Sequence, residues 1–239
     1  SIDADTIYDV PKLMKEEGLD KVVLKKLGLN NLGESDITRW EEFVYNINNP
    51  KSNIDIALVG KYVELKDSYK SISESFTHAS SVLRCKVNIH WIHSEKLDHK
   101  SVELLLKNMN GVLVAPGFGP RGIDGKLSAV KYVRENNIPF FGICLGMQVS
   151  VIEYARNVLN YQNAHSTEMH NNNYPVIDIM EEQKKKNHMG GTMRLGSCSC
   201  KLKKGSLVHS IYGVDVINER HRHRYEFNNK YLNDYEMSG

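Results

Sequence analysis

The sequence has 239 residues, 41% hydrophobic and 25% charged, the balance of an ordinary globular protein with room for one sizeable domain and an appendage. A formal net charge of +2 gives no field that would draw the whole chain to nucleic acid or an anionic membrane, and no apolar run approaches the roughly 20 residues of a membrane span. Four cysteines, Cys85, Cys144, Cys198 and Cys200, form no paired framework, and nothing reads as a signal peptide, so a reducing, cytoplasmic compartment is expected.

Residues 1–50 read as a helical lead-in. Asp9 with Pro11 predicts a helix start, with Asp9 as the cap. Leu13, Met14 and Leu19, then Val22, Val23 and Leu27, supply apolar faces for two short helices stopped by Gly18 and Gly28. A third helix is expected over Trp40 to Tyr45, and the polar stretch Asn46 to Asn53, containing Pro50, is the expected boundary. A second domain, 54–239, follows. Short apolar strands are predicted at Ile54–Gly60, Lys86–Ile92, Gly111–Ala115 and Ile138–Ile143. Helices are predicted at Ser68–Leu83, Val102–Lys107, Lys126–Glu135 and Met147–Leu159, with a loop from Pro116 to Gly125. This alternation predicts an α/β fold, a mostly parallel sheet covered by helices on both faces. Further on, Pro175–Ile179 and Ser197–Leu202 read as strands, and Glu181–Asn187, with Lys184 to Lys186, as a solvated loop.

Ligands of such sheets bind at the carboxyl ends of the strands, where the Pro116–Gly125 loop and Cys144 both fall. Gly142 and Gly146 flank Cys144 at i−2 and i+2, a pattern that allows a sharp strand-to-helix turn. At such a turn the helix N-terminus is expected to lower the thiol pKa, and its unpaired N–H groups can face a developing oxyanion. The bland alternative is a small buried apolar cysteine. Glycines at 117, 119 and 122 in the facing loop weigh against it, because ordering so much glycine is costly unless backbone must approach closely. Arg220, Arg222 and Arg224 are expected on one face of a strand and His221 and His223 on the other, as a phosphate-binding strip or a polar edge. Neither the two histidines nor Cys198-x-Cys200 completes a metal set, so no metal is expected.

GICLGMQ, at residues 142–148, resembles the nucleophile motif of class I glutamine amidotransferases. The blocks GKYVELKDSYKS, APGFGPRGIDGK, AHSTE, MGGTMRLGS and ERHRHRYEFN are each similar, in order, to those of the CTP synthase family, and the lead-in resembles the segment joining that family's two domains. The resemblance spans nearly the whole chain. It implies that Cys144 attacks the side-chain amide of L-glutamine to give a thioester and ammonia, with the N–H groups of Gly117 and Leu145 as the oxyanion hole. Gly146, Met147 and Gln148 would line the substrate, Glu168 would hold its ammonium and Arg224 its carboxylate, and the loop of Arg121, Gly122 and Gly125 would be a lid linked to activation by GTP. No cofactor is implied for this domain. ATP and Mg are expected in a synthetase domain preceding Ser1, which would accept the ammonia, and a homo-tetramer is implied for the whole enzyme.

Three departures from the family pattern qualify these expectations. The family's general base and its orienting carboxylate come in a His-x-Glu pair downstream of ERHRHRYE; no such pair occurs before Gly239, and His221 and His223 belong to the preceding motif and are set aside as bases. These 239 residues alone are therefore expected to turn over poorly. Pro116 stands where a glycine is usual and has no N–H, leaving Gly117 as the donor, and His165 stands where an asparagine is usual. Two rivals are a different cysteine enzyme on a similar sheet, such as a protease or deglycase, and a scaffold module without turnover. The first would show no selectivity for free glutamine. The second would leave Cys144 unlabelled by a glutamine-like electrophile.

Overall fold

The computed structural model describes residues 3–29, 32–170, 173–180 and 194–239. The loop expected at Glu181–Asn187, and the start of the MGGTMRLGS block, lie outside the described residues. The chain divides into two compact units, Ser1–Ile56 with Glu64–His90, and Ala57–Val63 with Trp91–Gly239.

In the first unit the lead-in folds as α1 (Val10–Glu16), α2 (Leu19–Lys26) and α3 (Thr38–Asn48), and these share the unit with α4 (Lys70–Leu83). Asp9 does not cap α1. Its carboxylate turns back to accept from Thr6 N at 3.3 Å, closing a capping box around the turn Ile7–Asp9. Tyr8 binds this segment to α4 through its hydroxyl, shared with Glu74 and with His78 at 3.0 Å, and Trp40 Nε1 donates to its carbonyl at 2.8 Å. Met14, Leu19, Val22, Val23 and Leu27 stay exposed on α1, α2 and the turn after α2.

The expected α/β sheet is present. Strands β1 (Ser52–Gly60), β2 (Cys85–His93), β3 (Gly111–Val114) and β4 (Phe140–Gly142) form one sheet in the order β2-β1-β3-β4, with β3 and β4 parallel. The second unit packs α5 (Ser101–Leu106), α6 (Ile123–Glu135) and α7 (Leu145–Asn157) around Ala57, Val59, Val112 and Val114. Strand β3 is a continuous apolar run because it is wholly enclosed, as are the last four residues of β1, whereas Phe141 on β4 is exposed. A smaller sheet holds β5 (His165–Ser166), β6 (Pro175–Ile179) and β9 (Tyr225–Phe227), and a two-stranded antiparallel ribbon pairs β7 (Arg194–Lys201) with β8 (Val216–His223). After α8 (Leu207–Tyr212), the C-terminal α9 (Leu232–Ser238) docks on α7, with Tyr235 Oη donating to the Val151 carbonyl at 2.7 Å.

Two boundaries near the site differ from expectation. Helix α7 begins at Leu145, so Cys144 itself is its cap. Helix α6 begins at Ile123, so Gly125 lies in its first turn instead of in a lid loop, while Gly122, at φ +73°, is the cap. The reason is close packing. A Cβ added at Gly125 would sit 1.7 Å from the Ser94 carbonyl oxygen. Gly125→Ala is therefore expected to cost about 1–3 kcal/mol through overpacking, read as a lower urea midpoint at unchanged m-value.

Candidate active site

Strand β4 stops at Gly142, the Ile143 N–H pairs with the Val114 carbonyl at 3.1 Å, and the chain turns into α7 through Cys144. Cys144 has φ 55° and ψ −108°, a conformation an L-residue adopts only at a cost of about 1–3 kcal/mol and only when its surroundings enforce it. The flanking glycines do so. A Cβ at Gly146 would lie 2.1 Å from the Val114 oxygen, and one at Gly142 would lie 2.6 Å from the Gly146 carbonyl carbon. Only glycine lets strand and helix approach so closely, and the elbow that results pushes the thiol out over the strand ends.

The backbone N–H groups of Leu145 and Gly117 both point at the Cys144 sulfur. Burial pushes the thiol pKa up, and Glu168 adds in the same direction; the two N–H groups and Lys126 pull it down. Burial wins, contrary to the expectation that the helix terminus would dominate. Alkylation of Cys144 by iodoacetamide should therefore rise with pH to a midpoint above that of a free thiol, because only the thiolate reacts. A midpoint below the free-thiol value would contradict this balance.

The facing loop is held from below by two lysines. Lys126, fully buried, donates from Nζ to the Ala115 carbonyl at 2.9 Å. Lys61, at the end of β1, donates to the carbonyls of Phe118 and Gly119, the latter at 3.1 Å. The N–H of Gly119 donates to Glu168 Oε1 at 3.0 Å. A trans peptide points its C=O and N–H in opposite directions, so Lys61 and Glu168 grip the two ends of the single peptide plane between Phe118 and Gly119.

Glu168 follows β5, where its own N–H donates to Ser166 Oγ at 3.2 Å. His165 accepts from Ser166 N at 2.8 Å through Nδ1, and burial, with Arg156 and His170 nearby, pushes its pKa down to about 4. It is thus a neutral acceptor here. Gln148, one turn along α7 from the thiol, is buried and donates to the Tyr225 carbonyl at 3.2 Å. Arg224 fills the break between β8 and β9 and accepts from Met180 N at 3.0 Å through its carbonyl. Because β8 ends at His223, the alternation expected through 224 does not hold: Arg220 and Arg222 are exposed and Arg224 is half-buried. The Tyr225 hydroxyl feels burial first, then the opposing charges of Glu168 and Arg224. Met147 is partly exposed, and the Gly146 backbone is packed on β3. Arg121 pairs with Glu95 at 3.1 Å and lies over the Tyr62 ring at 5.6 Å.

Three residues at the thiol or its facing loop were not found by sequence reasoning. His223, set aside above, lies with Nδ1 3.7 Å from Cys144 Sγ. Lys61 gave no sign beyond its place in a family-like block. Lys126 did give one: it occupies the buried stripe of Ile123, Val130 and Val133, a cation at a core position of an amphipathic helix.

Residues 64–238 match the family model described as "Glutamine amidotransferase class-I". The chain belongs to the class-I glutamine amidotransferases. This amidotransferase domain is 59% identical over its whole length to the CTP synthase of Cytophaga hutchinsonii, covering 44% of that protein. It is 50% identical to the CTP synthase of Aquifex aeolicus, with 99% of this chain and 44% of that protein covered. It thus spans less than half the length of these relatives. The structure of the Trypanosoma brucei CTPS glutaminase domain with bound acivicin superposes with a TM-score of 0.70 at 38% identity, over 78% of this chain and 72% of that one. The α/β fold is therefore that of the amidotransferase family.

Proposed function

We propose that this domain hydrolyses L-glutamine at Cys144 and serves as the ammonia source of a cytoplasmic CTP synthase. The Cys144 thiolate adds to the side-chain amide carbon, and the oxyanion that forms is held by the N–H groups of Leu145 and Gly117. Collapse of the tetrahedral adduct, with a proton passed to nitrogen, releases ammonia and leaves a γ-glutamyl thioester. Water then cleaves the thioester to glutamate and restores the thiol. Glu168 takes the substrate ammonium, Arg224 its carboxylate, and Gln148, Met147 and the Gly146 backbone line the cleft.

The observation that carries this reading is the strained elbow of Cys144, with two backbone N–H groups already aimed at its sulfur. In the whole enzyme the ammonia would replace the 4-oxygen of ATP-activated UTP in a synthetase domain that holds ATP and Mg. The exposed apolar faces of α1 and α2 support a packing partner for the lead-in. GTP activation through the loop at Arg121 and Gly122, and a tetramer, follow from the relatives' family and belong to the same proposal.

The test is ammonia release from free glutamine against glutaminyl peptides by a version extended through the family's His-x-Glu pair, together with labelling by a chloro-isoxazole amino acid. Free glutamine should be strongly preferred and the label should sit on Cys144. Equal turnover of peptides, or no label at Cys144, would overturn the reading. Glu168→Gln should raise KM for glutamine by about tenfold to a hundredfold, the loss of one charge-assisted contact.

A further inference from the structure

We propose that Lys126 is a positioning residue for the nucleophile: its buried ammonium pins the carbonyl at the root of the oxyanion loop and lends positive charge to the Cys144 thiolate. The proposal rests on the reading of Cys144 as nucleophile. A lysine with 0% exposure is unusual, because desolvating an ammonium is expensive unless something opposes the cost. A structural ion pair would supply a carboxylate. Among the described residues, the charges acting on Lys126 are instead Lys61 and Cys144, with no carboxylate. Burial, then Lys61, pull its pKa down to about 8, while the cysteine pushes it up. The influence is mutual, since Lys126 in turn favours the thiolate.

The geometry explains how one amine serves both ends. Its Nζ meets the Ala115 carbonyl at 2.9 Å, and a Cβ placed on Gly117 would lie 3.8 Å from the same nitrogen. Lys126 therefore sits beneath the residue whose N–H is aimed at the sulfur. Pro116, between these two, cannot donate, so orienting the peptide before it fixes the approach to Gly117. The other charged and titratable groups facing the thiol and the amine are Glu168 from the segment after β5, His223 from the end of β8 and Lys61 from the end of β1, with Arg121 and Glu95 acting on Lys61.

The experiment is the pH dependence of iodoacetamide alkylation at Cys144, followed by mass spectrometry, in the unmodified protein and in Lys126→Met. The variant should move the thiol midpoint up by about one unit and slow alkylation at neutral pH about tenfold. A purely structural role for Lys126 would leave the profile in place, and an unchanged profile overturns the proposal. Should Lys126→Met fail to fold, Lys126→Arg, which keeps the cation, is compared with Lys126→Gln, which keeps a donor for the Ala115 carbonyl without the charge. Alkylation at neutral pH should stay near the unmodified rate in the arginine variant and slow about tenfold in the glutamine variant, and equal rates in the two overturn the proposal. Failure of the parent reading appears separately, as absence of chloro-isoxazole labelling in the unmodified protein.

Discussion

In a version extended through the family's His-x-Glu pair, Cys144→Ala is expected to abolish ammonia release from free glutamine, a fall of at least about four orders of magnitude, with the fold intact. Removal of a covalent nucleophile leaves only the residual catalysis of the oxyanion hole and binding contacts, as mutants of triad enzymes show. Glutamine affinity should survive, because Glu168 and Arg224 are untouched, and equilibrium binding separates the two effects. The substitution should leave stability unchanged or lower it slightly, through the loss of one small, partly buried side chain. Neither cysteine nor alanine is at ease at φ 55° and ψ −108°, so the strain at the elbow is common to both. Glycine at 144 is the informative contrast, being inactive but relieved of that strain. An alanine variant that retained turnover would remove Cys144 from the chemistry altogether.

The largest effect on stability is expected from Arg134→Ala. Arg134 on α6 holds Glu153 on α7 in a fork, with Nε at 3.1 and 3.0 Å from the two carboxylate oxygens and Nη2 at 2.8 Å from Oε1. The glutamate side chain is 1% exposed and the arginine 32%. Removing the arginine leaves the carboxylate buried with Asn157 Nδ2 at 3.0 Å as its remaining side-chain donor, a loss of about 3–5 kcal/mol. Thermal unfolding should show it as a drop in Tm of about 10 °C. Replacing both partners with apolar residues of similar size should recover most of the stability, because the cost lies in the orphaned charge.

Much of the fold was legible because the relevant signals are local. Runs such as Ile54–Gly60 and Gly111–Ala115 are too short and too apolar for anything but enclosed strands, and β1 and β3 appear there. The elbow was legible because Gly142 and Gly146 are demanded by contacts within a few residues and one neighbouring strand. Misreadings arose where a competing or distant contact decides. Asp9 looks like a cap for α1 until Thr6 competes for its carboxylate. Gly125 looks like loop glycine, but its reason is the Ser94 carbonyl, some thirty positions earlier in the chain. Arg224 was placed with Arg220 and Arg222 because period-2 reasoning cannot see where a strand breaks. Lys126 was read only as the first residue of a helix, although its helical spacing places it with Ile123 and Val130 in the buried stripe.

The loop from Ala115 to Gly119 is fixed by side chains of the fold itself, through Lys126, Lys61 and Glu168. The entropy of ordering those peptide planes, about 1–2 kcal/mol per residue, is therefore lost when the chain folds and not when glutamine arrives. Substrate affinity then reflects contact enthalpy with little ordering penalty. Changes that loosen the loop would weaken binding through a more unfavourable entropy while leaving the contacts themselves unaltered.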